Sequence, residues 1–370
     1  MPDDALLSEA QRLFSICNAC RYCEGYCAVF PALEQKTAFT QADIEYLGSL
    51  CHDCRACYQA CMYAPPHEYG VNIPKLLSEV RAETYRRHAW PSALAGAFTR
   101  PGLAFGIAGV AAAVVMILEI ALRSNLAVLA TPHTGAGAFY RVVPYLAMVI
   151  PALALSLWSV VAMLRGSLEF AKEQRTTGNL DGEHSVLKAL WDGLVLTYLR
   201  GGGGGCFYPE SDTPRVARRW FHVALVFGVL SAFIATNVAA VFQHIFGWVA
   251  PYPWLSAPVI FGSVGGVGII IGSCGLLSLK RRSAQKLAIE ESSTLDVAFL
   301  WQLFGVAVTG MLLLLIRGTV LMGAVLVVHL SLVGALFVTA PYGKFVHGLY
   351  RLVALTAYLR GEARHSQRGP

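Results

Sequence analysis

From Gly102 onward the sequence carries six apolar runs, at roughly 102–122, 142–164, 221–246, 257–279, 296–316 and 319–349. A membrane span needs about 20 mostly apolar residues, and within hydrocarbon only helices and closed barrels satisfy every backbone polar group. Runs of this length predict an all-α membrane protein with six transmembrane helices. With 55% of its residues hydrophobic, 14% charged and a mean hydropathy of +0.53, the chain is too apolar for an ordinary soluble domain. The polar residues gather at the start, which divides the chain into an N-terminal cytoplasmic domain, 1–100, and a membrane domain, 101–370, with a long inner loop at 165–220.

The N-terminus, MPDDALLSEAQ, is acidic and has no apolar core of a signal peptide. If residues 1–100 are cytoplasmic, the outer loops hold only Arg123, Arg141 and Arg317 among the basic residues. Arg218, Arg219, Lys280, Arg281, Arg282, Arg351 and Arg360 then lie inside, as the positive-inside rule requires. The expected location is a bacterial inner membrane, with both termini cytoplasmic. Topology accounts for the net charge of +6, so no nucleic-acid partner is implied.

The polar domain contains an internal duplication. CNACRYCEGYC at 17–27 recurs as CHDCRACYQAC at 51–61, so eight of the ten cysteines form two copies of C-x2-C-x2-C-x3-C. Arg21 and Arg55 keep the same offset, as do Pro31 and Pro65. In two-cluster bacterial ferredoxins this spacing has the fourth cysteine of each run ligating the other cluster. Cys17, Cys20, Cys23 and Cys61 would hold one 4Fe-4S cluster, and Cys51, Cys54, Cys57 and Cys27 the other. Zinc also takes four thiolates but favours pairs over runs of four, and tandem cysteines without a secretory signal argue against disulfides. One departure is that Ala28 and Met62, not prolines, follow the last cysteines, which predicts a longer local helix. Cys206 and Cys274 stand outside the runs and read as structural.

Amphipathic helices are expected over 3–16 and 72–90, the second with Pro74 in its first turn, and a helix at Gln41–Ser49 separates the half-motifs. The segment GGGGGCFYPESDTP at 201–214 reads as a hinge or docking loop, since no P-loop lysine follows its glycines. Trp248, Tyr252 and Trp254 form an interfacial belt.

Four histidines require an account. His222 and His244 bracket the third run, while His329 and His347 lie on the sixth. At about 100° per residue each pair returns to one helix face, and the two helices run antiparallel. His222 would then stand level with His347, and His244 near His329, as axial pairs for one or two b-type haems. Histidines at helix ends also occur simply as interfacial residues. His329 sits deep in an apolar helix, where an ionisable residue is functional by default. Pro341 between His329 and His347 can kink that helix.

The cysteine runs, the segment YLRGGGGGCFYP and a six-span, histidine-bearing half resemble the tricarballylate-utilisation (citrate-utilisation) B proteins across nearly the whole chain. The cysteine half is also similar to the iron-sulfur subunits of anaerobic glycerol-3-phosphate dehydrogenase and heterodisulfide reductase. The histidine spacing is similar to that of the nitrate reductase gamma subunit. The resemblance implies that a soluble FAD-dependent dehydrogenase, of the tricarballylate dehydrogenase kind, is reoxidised through clusters and haem.

Read from the residues, a cluster pair joined to intramembrane histidines is a wire from a soluble donor to a membrane quinone. The chain shows no Rossmann fingerprint and no catalytic triad, so the organic oxidation belongs on a partner. Two other readings stay open: a six-span transporter with a regulatory iron-sulfur domain, and the electron-transfer anchor of a different dehydrogenase.

Overall fold

The computed structural model describes residues 4–180, 186–199, 206–208, 211–282 and 290–368. The chain begins with α1 (Asp4–Cys20), α2 (Val29–Glu34), α3 (Gln41–Leu50), α4 (Ala56–Gln59) and α5 (Ile73–Arg87). α1 buries Ala10, Leu13 and Phe14 on one stripe and carries Cys17 and Cys20 into its final turn. α3 opens on a capping box: the Thr40 hydroxyl accepts from the Asp43 N–H, and the Asp43 carboxylate accepts from the Thr40 N–H at 3.0 Å. Such a cap contributes about 1 kcal/mol and fixes where the helix starts. α5 starts on Asn72, whose side chain accepts from the Lys75 N–H at 3.1 Å. The longer local helix expected at the last cysteines does not form: Cys27 lies outside any helix, with the separate α2 starting at Val29, and α4 ends at Gln59 before Cys61.

Six helices are long and apolar enough to cross a membrane. They are α6 (Pro101–Arg123), α8 (Tyr145–Thr176), α10 (Ala217–Ile245), α11 (Ala257–Arg282), α12 (Glu290–Ile316) and α13 (Met322–Thr339), with the short α7 (Ala138–Val142) between the first two. α13 is the most enclosed, with 39% of its apolar window buried against 6% for α6. α10 and α11 meet backbone to backbone: a Cβ on Gly265 would stand 2.7 Å from the Ala232 nitrogen, and one on Gly272 would stand 2.7 Å from the Leu225 nitrogen. Lipid gives apolar helices no hydrophobic reason to associate, so small residues that allow close approach supply the packing instead.

Two expectations need correction. The sixth apolar run is not one helix to residue 349. α13 stops at Thr339, two 3-10 turns follow at Ala340–Tyr342 and Lys344–Val346, and α14 (His347–Arg368) starts afresh. Pro341 offers no N–H to continue the helical ladder, so the break falls there. The interval 165–220 is also more than a loop. α8 runs on to Thr176, burying Phe170 and Gln174, and α9 (Val186–Leu194) follows. A two-stranded antiparallel ribbon, β1 (Cys206–Tyr208) with β2 (Ser211–Arg215), leads into α10. Gly201–Gly205, read from sequence as a docking loop, lies outside the described residues.

These additions complete the N-terminal domain. Its core joins Phe14, Leu33, Leu47 and Leu77 to Ala189 of α9 and to Ala354, Leu355 and Tyr358 of α14. Polar ties reinforce the joint. Asn179 donates to Asp43 at 3.1 Å and to Gln174 at 2.8 Å, Gln174 donates to the Ala42 carbonyl at 3.1 Å, and Lys36 pairs with Asp43 at 2.8 Å.

Candidate cofactor sites

The eight cysteines of the repeat divide between two cavities. Cys17, Cys20, Cys23 and Cys61 line one, walled by Ile16, Phe30, Tyr63 and Val71. Cys27, Cys51, Cys54 and Cys57 line the other, walled by Val29, Phe30, Ile73 and Leu77. In each cavity three cysteines come from one repeat and the fourth from the other. The duplication extends to the backbone. Arg21 and Arg55, equivalent in the two repeats, both adopt a left-handed conformation, with φ of 55° and 63°. Non-glycine residues seldom do so, and here the turn comes directly after the second cysteine of each run.

The donor set fits a metal cluster. Burial and neighbouring cysteines push the Cys17 and Cys23 thiols up to about 12 and raise Cys27 and Cys57 as well. Four thiolates crowded into an apolar pocket need a cationic centre to form at all, and soft thiolates suit iron-sulfur clusters. The Asp53 N–H donates to Cys51 Sγ at 3.3 Å, a hydrogen bond of the kind that tunes such a centre.

The four singled-out histidines separate into two situations. His222 on α10 and His347, the first residue of α14, face each other with ring centroids 6.2 Å apart and planes at 90°. Two imidazoles bound to opposite sides of one metal, with metal–nitrogen distances of about 2 Å, stand roughly 6 Å apart centre to centre. His347 Nδ1 lies 2.5 Å from the Lys344 carbonyl. As the donor there it leaves Nε2 with a free lone pair, the usual state of a ligating histidine. His222 Nδ1 is buried without a hydrogen-bond partner. The separation of this pair fits two imidazole ligands to one metal, and the structure places His347 on α14 and not on the sixth span as the sequence argument had it.

His244 and His329 are not brought together. His244 is exposed, and its Nε2 lies 2.6 Å from the Tyr145 hydroxyl on α8. His329 Nδ1 lies 3.0 Å from Thr309 Oγ1 on α12, with its ring against Gly310. Among the described residues no ring contact or hydrogen bond joins these two histidines.

Two family models match in tandem. The citrate utilization protein B Fer4-like domain covers residues 10–87, and citrate utilization protein B covers residues 98–369. The chain belongs to the citrate utilization protein B family. It is 38% identical over 363 residues to citrate utilization protein B of Escherichia coli, an alignment spanning 98% of this chain and 94% of that one. No solved structure matches it. The first part of the chain is thus an iron-sulfur domain attached to six apolar helices in a protein type associated with citrate utilisation.

Sequence reasoning missed the residues that join the two parts. The Cys51 carbonyl accepts from Arg81 at 2.7 Å and from Arg351 at 2.6 Å, and Arg218 donates to the Asp53 carbonyl. Arg351 also lies against the His52 ring, 2.6 Å from Nε2. Burial and the nearby Arg351 and Arg218 push the His52 pKa down, so the ring stays neutral and can accept. A signal was present in the sequence: RWFH at 219–222 follows Arg218, and HGLYR spans 347–351, each placing an arginine one helical turn from a histidine. A different cluster, Glu45, His88 and Glu173, has metal-ligand spacing. Arg87 already sits between its carboxylates, 2.7 Å from Glu45 and also paired with Glu173, and offsets part of their charge.

Proposed function

We propose that this chain carries electrons from a reduced soluble flavoprotein, a dehydrogenase of the tricarballylate-oxidising kind, to the quinone of a bacterial inner membrane. Cys17, Cys20, Cys23 and Cys61 hold one 4Fe-4S cluster; Cys51, Cys54, Cys57 and Cys27 hold the second. His222 and His347 hold a b-type haem at the end of the bundle nearest the iron-sulfur domain. When bound, these groups supply one-electron carriers, so that the two electrons of a reduced flavin leave singly and reach a quinone that takes up two protons. Residues 1–100 and both termini face the cytoplasm, with residues 101–370 as the membrane domain.

The observation that carries this reading is the sorting of the eight cysteines into two cavities, each completed by the other repeat's fourth cysteine. The chain's own residues do the positioning. Apolar walls surround the cysteines, of which Cys51 and Cys54 are buried and the other six half-buried, and the Lys344 carbonyl orients the His347 ring. His244 Nε2 would ligate a second haem only by leaving Tyr145, and among the described residues no ring contact joins His329 to a second histidine, so the proposal contains one haem.

The test is Cys27→Ser in the full-length membrane protein, with iron content and the signals of the two clusters resolved by electron paramagnetic resonance. The cluster of Cys51, Cys54 and Cys57 should be damaged while that of Cys17, Cys20 and Cys23 persists. The opposite loss would sink the crossed assignment, and a purified native protein without haem absorbance would remove the membrane half of the proposal.

A further inference from the structure

The loop carrying Cys51 is held by side chains from both helices that bear the facing histidines. Arg351, one turn after His347 on α14, donates to the Cys51 carbonyl and packs on His52. Arg218, one turn before His222 on α10, donates to the Asp53 carbonyl. Arg81 of α5 adds a further donor to the Cys51 carbonyl at 2.7 Å. Cys54 belongs to a small core with Leu196 and Leu199, against which Val223, the neighbour of His222, packs. The other cavity is the more exposed of the two at its edge: its lining includes Tyr22 and Met62, which are 58% and 61% exposed.

We propose that this seam is where an electron passes from the Cys27/Cys51/Cys54/Cys57 site to the His222/His347 site, and that Arg351 is the positioning residue that sets it. The inference rests on the cluster and haem reading above and adds a direction: the Cys17/Cys20/Cys23/Cys61 site receives from the donor, and the Cys51 side delivers to the membrane half. One electron crosses the seam, oxidising the second cluster and reducing the haem iron, with no bond made and no proton moved. Arg351 acts in two ways. Its guanidinium fixes the carbonyl next to a cluster ligand in register with the helix that starts at His347. Its positive charge stabilises the reduced, more negative state of the cluster beside it, because net charge and hydrogen bonding set such potentials.

The test uses the full-length protein with its clusters and haem. In Arg351→Gln the redox equilibrium of the second cluster should move about tenfold toward the oxidised form, about 59 mV for one electron. The first cluster should not move. After rapid mixing with reduced methyl viologen, haem reduction should slow at least tenfold at unchanged iron and haem content. Arg351→Lys keeps the charge but loses the two-pronged contact, so it should restore the potential and leave the rate slow. If Arg351→Gln does not load its cofactors, Arg351→Lys and Arg218→Gln carry the test through the haem-reduction rate. Variants that keep iron and haem with both potential and rate unchanged, or that shift both clusters equally, overturn the proposal. A native protein without two distinguishable clusters and a haem overturns the underlying reading instead, whatever Arg351 does.

Discussion

The two ends of the helical bundle carry the same raw material and use it differently. At the end next to the iron-sulfur domain, His222 and His347 face each other across 6.2 Å, and His222 Nδ1 has no partner. At the far end each histidine is satisfied separately, His244 by Tyr145 and His329 by Thr309. Depth in an apolar helix therefore does not by itself bring two histidines together. A histidine in hydrocarbon must be satisfied, and a neighbouring hydroxyl suffices for that. A ligand pair also requires two helices to be brought into register. At the near end this comes from the glycine contacts of α10 and α11 and the restart of the chain at His347.

The contrast can be broken most directly at His347. His347→Ala should abolish haem binding while leaving iron content intact, as read from the haem spectrum and iron assay per chain; full retention of haem would erase the distinction between the ends. A smaller effect is expected from the helix contact behind His222. In Gly272→Val a side chain would enter where a Cβ already comes within 2.7 Å of the Phe221 oxygen and the Leu225 nitrogen. Overpacking of this kind costs about 1–3 kcal/mol, so thermal unfolding in detergent should shift downward and haem occupancy fall with it. Gly262→Ala, toward the far end, meets only the Ala235 methyl at 3.7 Å and should change neither. A smaller effect than that of Gly272→Val belongs to His329→Ala, which loses one hydrogen bond of about 1 kcal/mol and should keep full haem content. A fall by half would mean that the far end also ligates, and the two ends would be alike after all.

The sequence made some of this plain and hid the rest for identifiable reasons. The six spans and the cysteine repeat were legible because each depends on local pattern: the length of an apolar run, or fixed ligand spacing. The His222 and His347 pairing was anticipated on a faulty premise, an unbroken sixth helix through Pro341. The chain recovers the pairing through two 3-10 turns, which no period of 3.6 encodes. Residues 165–180 looked like a polar loop because only one narrow stripe, with Phe170 and Gln174, is buried. His52 and Arg351 escaped notice because their meaning lies in a contact 299 residues apart in sequence. In the sequence His52 is only a spacer between cysteines.

The packing of α14 into the N-terminal core bears on how the molecule is made. Residues 352–359 supply part of the wall around the cysteine-bearing helices, so residues 1–100, made before the six spans, lack part of their interior until α14 has been synthesised. Synthesis proceeds N-terminus first, and contacts this distant in sequence form late. The core behind the cysteine loops thus remains incomplete while the six membrane helices are being placed. The packing of α14 then completes it, tying the folding of the iron-sulfur domain to a helix that follows all six spans.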